Sequence, residues 1–192
     1  MHQLKTNYLN MSNFTLSEEE KKTLMDIAQQ TLASHVSGKT STQIDKYQLT
    51  ENLKLKVGAF VTLYKNGDLR GCIGRFMPNN SLYKVVEDMT ISAASYDSRF
   101  SPVSKNELGE IEIEISVLTP LQKISSIDEI EIGRDGIYIV KGGDSGTLLP
   151  KVASDNGWSK LEFLEYCSKY KAGIGTDGWK EAELFIYQAI VF

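Results

Sequence analysis

Apolar positions recur at helical spacing early in the chain, where Leu24, Ile27, Ala28, Leu32 and Val36 share one side and Ser17 with Glu20 forms a capping box ahead of them. That pattern predicts a first helix. A polar connector over 37–50 follows, and then the period shortens to that of strands. Two apolar runs flank Asn66-Gly67, the dipeptide best suited to two successive positive φ values, so residues 60–76 read as a β-hairpin with a type I′ turn. With a two-residue loop Leu63 would face Arg70, Thr62 would face Gly71 and Val61 would face Cys72. Arg70 and Cys72 would then share a face about 7 Å apart. Both faces are largely apolar, which suits an interior hairpin covered on each side.

Beyond the hairpin, Ser81 is placed to cap a helix carrying Leu82, Val85, Val86, Met89, Ala93 and Tyr96 on one side. Residues 110–118 alternate strictly, with Ile111, Ile113, Ile115 and Val117 on one face and Glu112 and Glu114 on the other. This predicts a strand with one side in water. Another strand over 136–141 leads into Gly142-Gly143-Asp144-Ser145-Gly146, which reads as a tight turn or as a nest of backbone N–H groups. Ser159 with Glu162 starts a helix that Gly173 ends, and the apolar stretch 183–192 reads as one central strand.

Helices alternate with strands along the chain, with no internal repeat. A chain of 192 residues, 41% of them apolar, can build one well-cored domain or one domain carrying a smaller lobe. Residues 1–16 read as an N-terminal extension and 17–192 as the domain. The formal charge of -4 gives no support for a polyanion-binding surface as a whole. The first residues lack the apolar core of a signal peptide, and no run approaches the roughly 20 apolar residues that span a bilayer. The expectation is a cytoplasmic protein without a membrane segment. Cys72 and Cys167 form neither a disulfide framework nor a CxxC pair.

The anomaly is the second hairpin arm, LRGCIGR, where Gly71 and Gly74 interrupt a strand, flank a cysteine and stand between Arg70 and Arg75. Missing side chains there let another backbone or a ligand come close. Cys72 has two readings: a nucleophile whose thiolate a nearby guanidinium favours, or a small buried apolar residue. The arginines also have two. Lysines number 17 and arginines four, and Arg70, Arg75 and Arg99 fall in two short segments. They form an anion site, or Arg99 pairs with Asp97 to hold its loop. His2 and His35 are the only histidines, so a Cys-His pair is poorly supported. No zinc or haem ligand set is present, and no cofactor is predicted. Trp158, Trp179 and Cys167 read as packing residues.

LRGCIG at 69–74, AASYDSRFSPVSKNEL at 93–108, ISVLTP at 115–120, LLPKVASDNGW at 148–158, KAGI at 171–174 and the closing LFIYQAIVF occur in the order of the motifs of the AMMECR domain. The chain resembles that family over roughly residues 18–192. The resemblance implies an α+β fold, a mixed, mainly antiparallel sheet flanked by helices, with a smaller lobe packed against it and LRGCIG lining a functional cleft. It also implies a place beside a Memo-like protein and a radical-SAM protein in a modification pathway, and a link to nucleotides or RNA. Two functions follow. One is an accessory or binding module holding an anionic ligand or partner through Arg70, Gly71, Gly74, Arg75, Asp97 and Arg99. The other is an enzyme using Cys72 as nucleophile or covalent carrier on a phosphate- or carboxylate-bearing substrate. The chain departs from the family pattern at Ser98, where DPRF is usual, and at Lys151, where LPQV is usual.

Overall fold

The computed structural model describes residues 14–39 and 44–192. Residues 1–13 of the expected extension and 40–43 of the connector lie outside the described residues. In chain order the first elements are α1 (Glu18–Val36), α2 (Glu51–Lys54), β1 (Ala59–Lys65), β2 (Asp68–Arg75), α3 (Leu82–Ser95) and β3 (Ile111–Leu118). They are followed by β4 (Gln122–Ile124), β5 (Gly136–Lys141), β6 (Asp144–Leu148), α4 (Pro150–Asn156), α5 (Lys160–Tyr166), β7 (Glu183–Tyr187) and β8 (Ala189–Val191). Two compact units result, one from Thr15–Leu118 with Ile190–Phe192 and one containing Thr119–Ala189. The fold is α+β, with two four-stranded antiparallel sheets ordered β2-β1-β3-β8 and β4-β7-β5-β6.

In the first unit α1 starts on its capping box, in which the Glu20 N–H donates to Ser17 Oγ and the Ser17 N–H donates to the Glu20 carboxylate. Leu24, Ile27, Ala28 and Leu32 are buried. α1 packs on α3, and α3 lies across β1 and β2. The strand face beneath them carries Ala59, Val61, Leu63, Ile115 and Val117, all fully buried, so the alternation in β3 sorts its residues as expected. Ser81 occupies the N-cap of α3, although its hydroxyl makes no capping bond. Asn66 and Gly67 both have positive φ, at 53° and 84°, as the hairpin turn requires.

The second unit is built on Ile137, Ile139, Leu148, Phe163, Leu164 and Cys167, with Trp158 and Trp179 packed against them. The GGDSG segment is not a nest. Only Gly142 and Gly143 turn, and Asp144, Ser145 and Gly146 pair with Lys141, Val140 and Ile139 as part of β6. α4 is an unanticipated helix, with Pro150 at its first turn and Gly157 ending it at φ 66°. After α5, the chain makes a π-helical turn over Cys167–Lys171.

The C-terminal stretch is two strands, not one. β7 is central in the second sheet and β8 joins the edge of the first. The break falls at Gln188, whose N–H donates to Thr119 Oγ1 and whose carbonyl accepts the Thr119 N–H. Main-chain partners at that point lie on a loop, so the ladder stops and the chain changes sheets. Phe192 then exchanges two backbone hydrogen bonds with Ile115.

Candidate functional site

β2 is the outermost strand of its sheet, and its register differs from the simple hairpin at one residue. Tyr64 pairs with Leu69, but Leu63 pairs with Gly71, so Arg70 is a bulge. From there every partner moves by one. Cys72 faces Thr62, Ile73 faces Val61, and Gly74 faces Phe60. A one-residue slip turns side chains to the opposite face, so Cys72 leaves the helix-covered side on which Val61 lies and stands half-buried on the other. Arg70 itself has no cross-strand partner in this register.

Both glycines are filled from inside the protein. A Cβ at Gly71 would lie 2.3 Å from the Ala93 carbonyl oxygen at the end of α3, and one at Gly74 would lie 2.1 Å from the Phe60 ring. Gly71 admits a helix backbone, and Gly74 admits its cross-strand aromatic partner.

The bulge sends Arg70 into the loop after α3. Its guanidinium donates to both Glu107 oxygens at 3.0 and 3.2 Å, to the Ser101 carbonyl at 2.8 Å and to the Pro102 carbonyl at 3.3 Å. Glu107 also accepts the Ser104 N–H and hydroxyl, and Lys65 lies 3.3 Å away. Arg70 first, then the Ser104 N–H, hold this carboxyl well below its ordinary range against the opposing effect of burial. Arg70 is therefore the pin that fastens the loop to β2.

A second fastening lies one step along the strand. The Cys72 N–H donates to Asp97 Oδ2 at 2.9 Å, and Arg99 grips the same carboxylate through Nε at 2.9 Å and Nη2 at 2.6 Å. Arg99 Nη2 also reaches the Cys72 carbonyl at 3.3 Å. Both backbone groups of an edge residue are thus satisfied by one ion pair. The Arg99 side chain holds the buried Asp97 carboxyl far below the usual range, assisted by the Cys72 and Arg99 N–H groups. Arg99 itself remains half exposed and rests over the Phe100 ring.

On the sheet face away from α3, Cys72, Thr62 and Glu114 form a cross-strand row. Thr62 Oγ1 donates to Cys72 Sγ at 3.3 Å, and Tyr64 Oη donates to Glu114 at 3.4 Å. Burial first, then the Glu114 charge, pushes the Tyr64 phenol up. His35 bonds Ser95 at 2.7 Å and takes no part in this row. Among the described residues no group of three His, Cys, Asp or Glu side chains could hold a metal ion. Cys167 is fully buried, and burial pushes its thiol up to about 12.

The sequence model of the AMMECR1 family matches residues 25–192. The chain belongs to the AMMECR1 family. Its relatives include protein MK0488 of Methanopyrus kandleri, 39% identical over 189 residues that cover 92% of this chain and 89% of the relative. A protein of Methanothermobacter thermautotrophicus is 39% identical over 186 residues, covering 92% and 95%. An Aquifex aeolicus protein is 40% identical over 146 residues, covering 72% and 74%. The crystal structure of the uncharacterised protein PH0010 of Pyrococcus horikoshii superposes with a TM-score of 0.77 at 32% identity, covering 93% of each chain.

In this AMMECR1 domain the structure brings Cys72, Asp97 and Arg99 into one cluster and ties Arg70 to the same loop through Glu107. Arg75 is separate, exposed at the end of β2 and without a side-chain partner among the described residues. Gly71 and Gly74 are packing positions. Thr62, Tyr64, Glu107 and Glu114 complete the surroundings and were not singled out by sequence. Only Glu107 had a signal, the capping-box spacing from Ser104, which the structure uses as such.

Proposed function

We propose that this AMMECR1-domain protein is a binding or accessory component whose LRGCIG arm, together with Asp97 and Arg99, holds an anionic ligand or an acidic segment of a partner. The observation that carries the reading is the state of Arg99. Two of its nitrogens are fixed by Asp97 and the Cys72 carbonyl, Nη1 has no partner among the described residues, and the side chain is 55% exposed. A guanidinium oriented beforehand loses little rotamer freedom when an anion arrives. The partners suggested by family resemblance are a Memo-like protein and a radical-SAM protein, in a modification pathway. A nucleotide or RNA phosphate is the other anion it suggests.

Titrating the full chain with inorganic phosphate while observing the arginine Nε–H signals tests the anion site directly. The Arg99 signal is expected to shift saturably. Arg99→Lys keeps a cation for Asp97 but lacks the planar fork, so it should bind more weakly, whereas Cys72→Ser should bind as before. Unchanged binding in Arg99→Lys would sink the reading. Co-purification with the Memo-like and radical-SAM proteins, wild type against Arg99→Lys, tests the partner form.

A second reading, an enzyme with Cys72 as nucleophile on a phosphate- or carboxylate-bearing substrate, is favoured by the hydroxyl that Thr62 directs at Sγ and by the charge of Arg99 nearby. Iodoacetamide followed by peptide mapping separates the cases. Alkylation at Cys72 with Cys167 untouched supports the covalent role, and a native Cys72 that stays inert removes it.

A further inference from the structure

In an antiparallel ladder each residue turns its N–H and C=O to one neighbouring strand, and successive residues alternate between the two sides. Ile115 exchanges both backbone hydrogen bonds with Phe192, so Glu114 and Ser116 direct theirs at β1. Their partners Thr62 and Phe60 are therefore engaged with β3. Across the hairpin, Cys72 and Gly74 pair with Thr62 and Phe60, and they turn their N–H and C=O groups away from the sheet. At Cys72 both groups are taken, the N–H by Asp97 and the carbonyl by Arg99. At Gly74 neither has a hydrogen-bond partner among the described residues. Gly74 is part-exposed, and Arg75 and Met77 just beyond it are exposed. A free strand edge is a template for another strand, and here it is blocked at Cys72 and left open at Gly74.

The block and the opening together define what fits. A strand added at Gly74 cannot continue past Cys72, because the Asp97 carboxylate and the Arg99 guanidinium occupy that edge. Its chain must end or turn away there. The group with capacity to spare at that point is Arg99 Nη1, and Arg75 is a second cation without a side-chain partner among the described residues. Cations at a chain end attract a C-terminal carboxylate and repel an N-terminal ammonium. Direction follows from this. β2 runs from Asp68 to Arg75, so a strand that brings its C-terminus to Cys72 lies antiparallel to it.

We propose that the β2 edge takes the free C-terminal segment of a partner protein as an added antiparallel strand. Its terminal carboxylate meets Arg99 Nη1, and one of its residues exchanges both backbone hydrogen bonds with Gly74. Main-chain pairing supplies the affinity, and capture of the carboxylate fixes the register. This rests on the Arg99 anion site proposed above and names the class of its occupant.

The probe is a pool of acetylated hexapeptides with valine, isoleucine, threonine and serine mixed at the last four positions. It is made once with a free C-terminal carboxylate and once as the C-terminal amide, and added to the full-length nitrogen-15-labelled chain. The free-acid pool should shift the Gly74 amide and Arg99 Nε–H signals saturably and slow hydrogen exchange at Gly74 by about tenfold or more. The amide pool, with the same backbone and no terminal charge, should bind about tenfold more weakly. Arg99→Lys should bring the two pools within about threefold of each other; if that variant does not fold, the comparison of acid with amide on the unaltered chain decides. Equal binding of the two pools, or a Gly74 amide that stays unmoved and unprotected, overturns the proposal. Inorganic phosphate separates the two ways of failing. An Arg99 signal that moves with phosphate but not with the peptides sinks only the occupant named here, and one that moves with neither sinks the anion site as well.

Discussion

The hairpins β1–β2 and β5–β6 share a design up to the point where charge enters. Each second arm is the outermost strand of its sheet, and each carries a glycine under a helical backbone. A Cβ at Gly71 would meet the Ala93 carbonyl oxygen at 2.3 Å, and one at Gly146 would meet the Ala172 nitrogen at 2.4 Å. Around Gly146 the contact is with the backbone and Cβ of the π turn. Around Gly71 there is in addition a bulged arginine, a half-buried thiol and two carboxylates bound to guanidinium groups. Glycine in such an arm is therefore explained by helix packing in both places. The β5–β6 hairpin has the Lys141–Glu181 pair, but carboxylates gripped by arginine occur beside β2 only, and the functional argument rests on them.

The largest effect expected is common to both hairpins. Gly71→Ala and Gly146→Ala each force a methyl against backbone that cannot swing aside, at a cost of about 3 kcal/mol or more in its own unit. Urea unfolding followed by tryptophan fluorescence, which reports Trp158 and Trp179, and by far-ultraviolet circular dichroism distinguishes the two units. A neutral Gly71→Ala would mean that helix packing does not require the residue.

The comparison is next sharpened by substitutions with no counterpart in β5–β6. Arg70→Ala removes four hydrogen bonds and leaves the Glu107 carboxylate with Ser104 and Lys65, so a loss of about 2–3 kcal/mol is expected, measured as a lower urea midpoint. Protease cleavage within 98–106 should rise with it. If the loop stays protected, Arg70 is not its pin.

Acid should expose the same region. Asp97 and Glu107 have folded carboxyls held below their ordinary values, while the unfolded chain returns to about 3.9 and 4.3. The native state then binds fewer protons, so this stabilisation is complete above about pH 5 and is lost as pH falls through and below the unfolded values. Asp97→Asn should lower the melting temperature at pH 7 by an amount that shrinks toward pH 3. A constant difference across that range would contradict the ion-pair assignment. The smallest effect belongs to Cys72→Ser, which keeps a small side chain beside Thr62 and should change stability by less than about 1 kcal/mol.

Much of the local framework was legible in the residues themselves. Asn66-Gly67 dictated a turn with two positive φ values, Ser17 with Glu20 and Ser159 with Glu162 marked helix starts, and the alternation of isoleucine with glutamate separated the faces of β3. Each signal depends on groups a few residues apart, and the physics that reads it is equally local.

What the fold alone decided is non-local. The bulge at Arg70 depends on Glu107 and Ser101, more than thirty residues away, and it turned Cys72 from the face of Val61 to that of Thr62. The break at Gln188 depends on Thr119, and without that partner 183–192 reads as a single strand. Asp97 and Arg99 were foreseeable as a pair, but the Cys72 backbone they enclose was not, because sequence spacing is silent about which strand edge a loop will meet. Periodicity records what a residue prefers among its neighbours in sequence, whereas register, edge and ion-pair partners are set by whichever distant groups need the same hydrogen bonds.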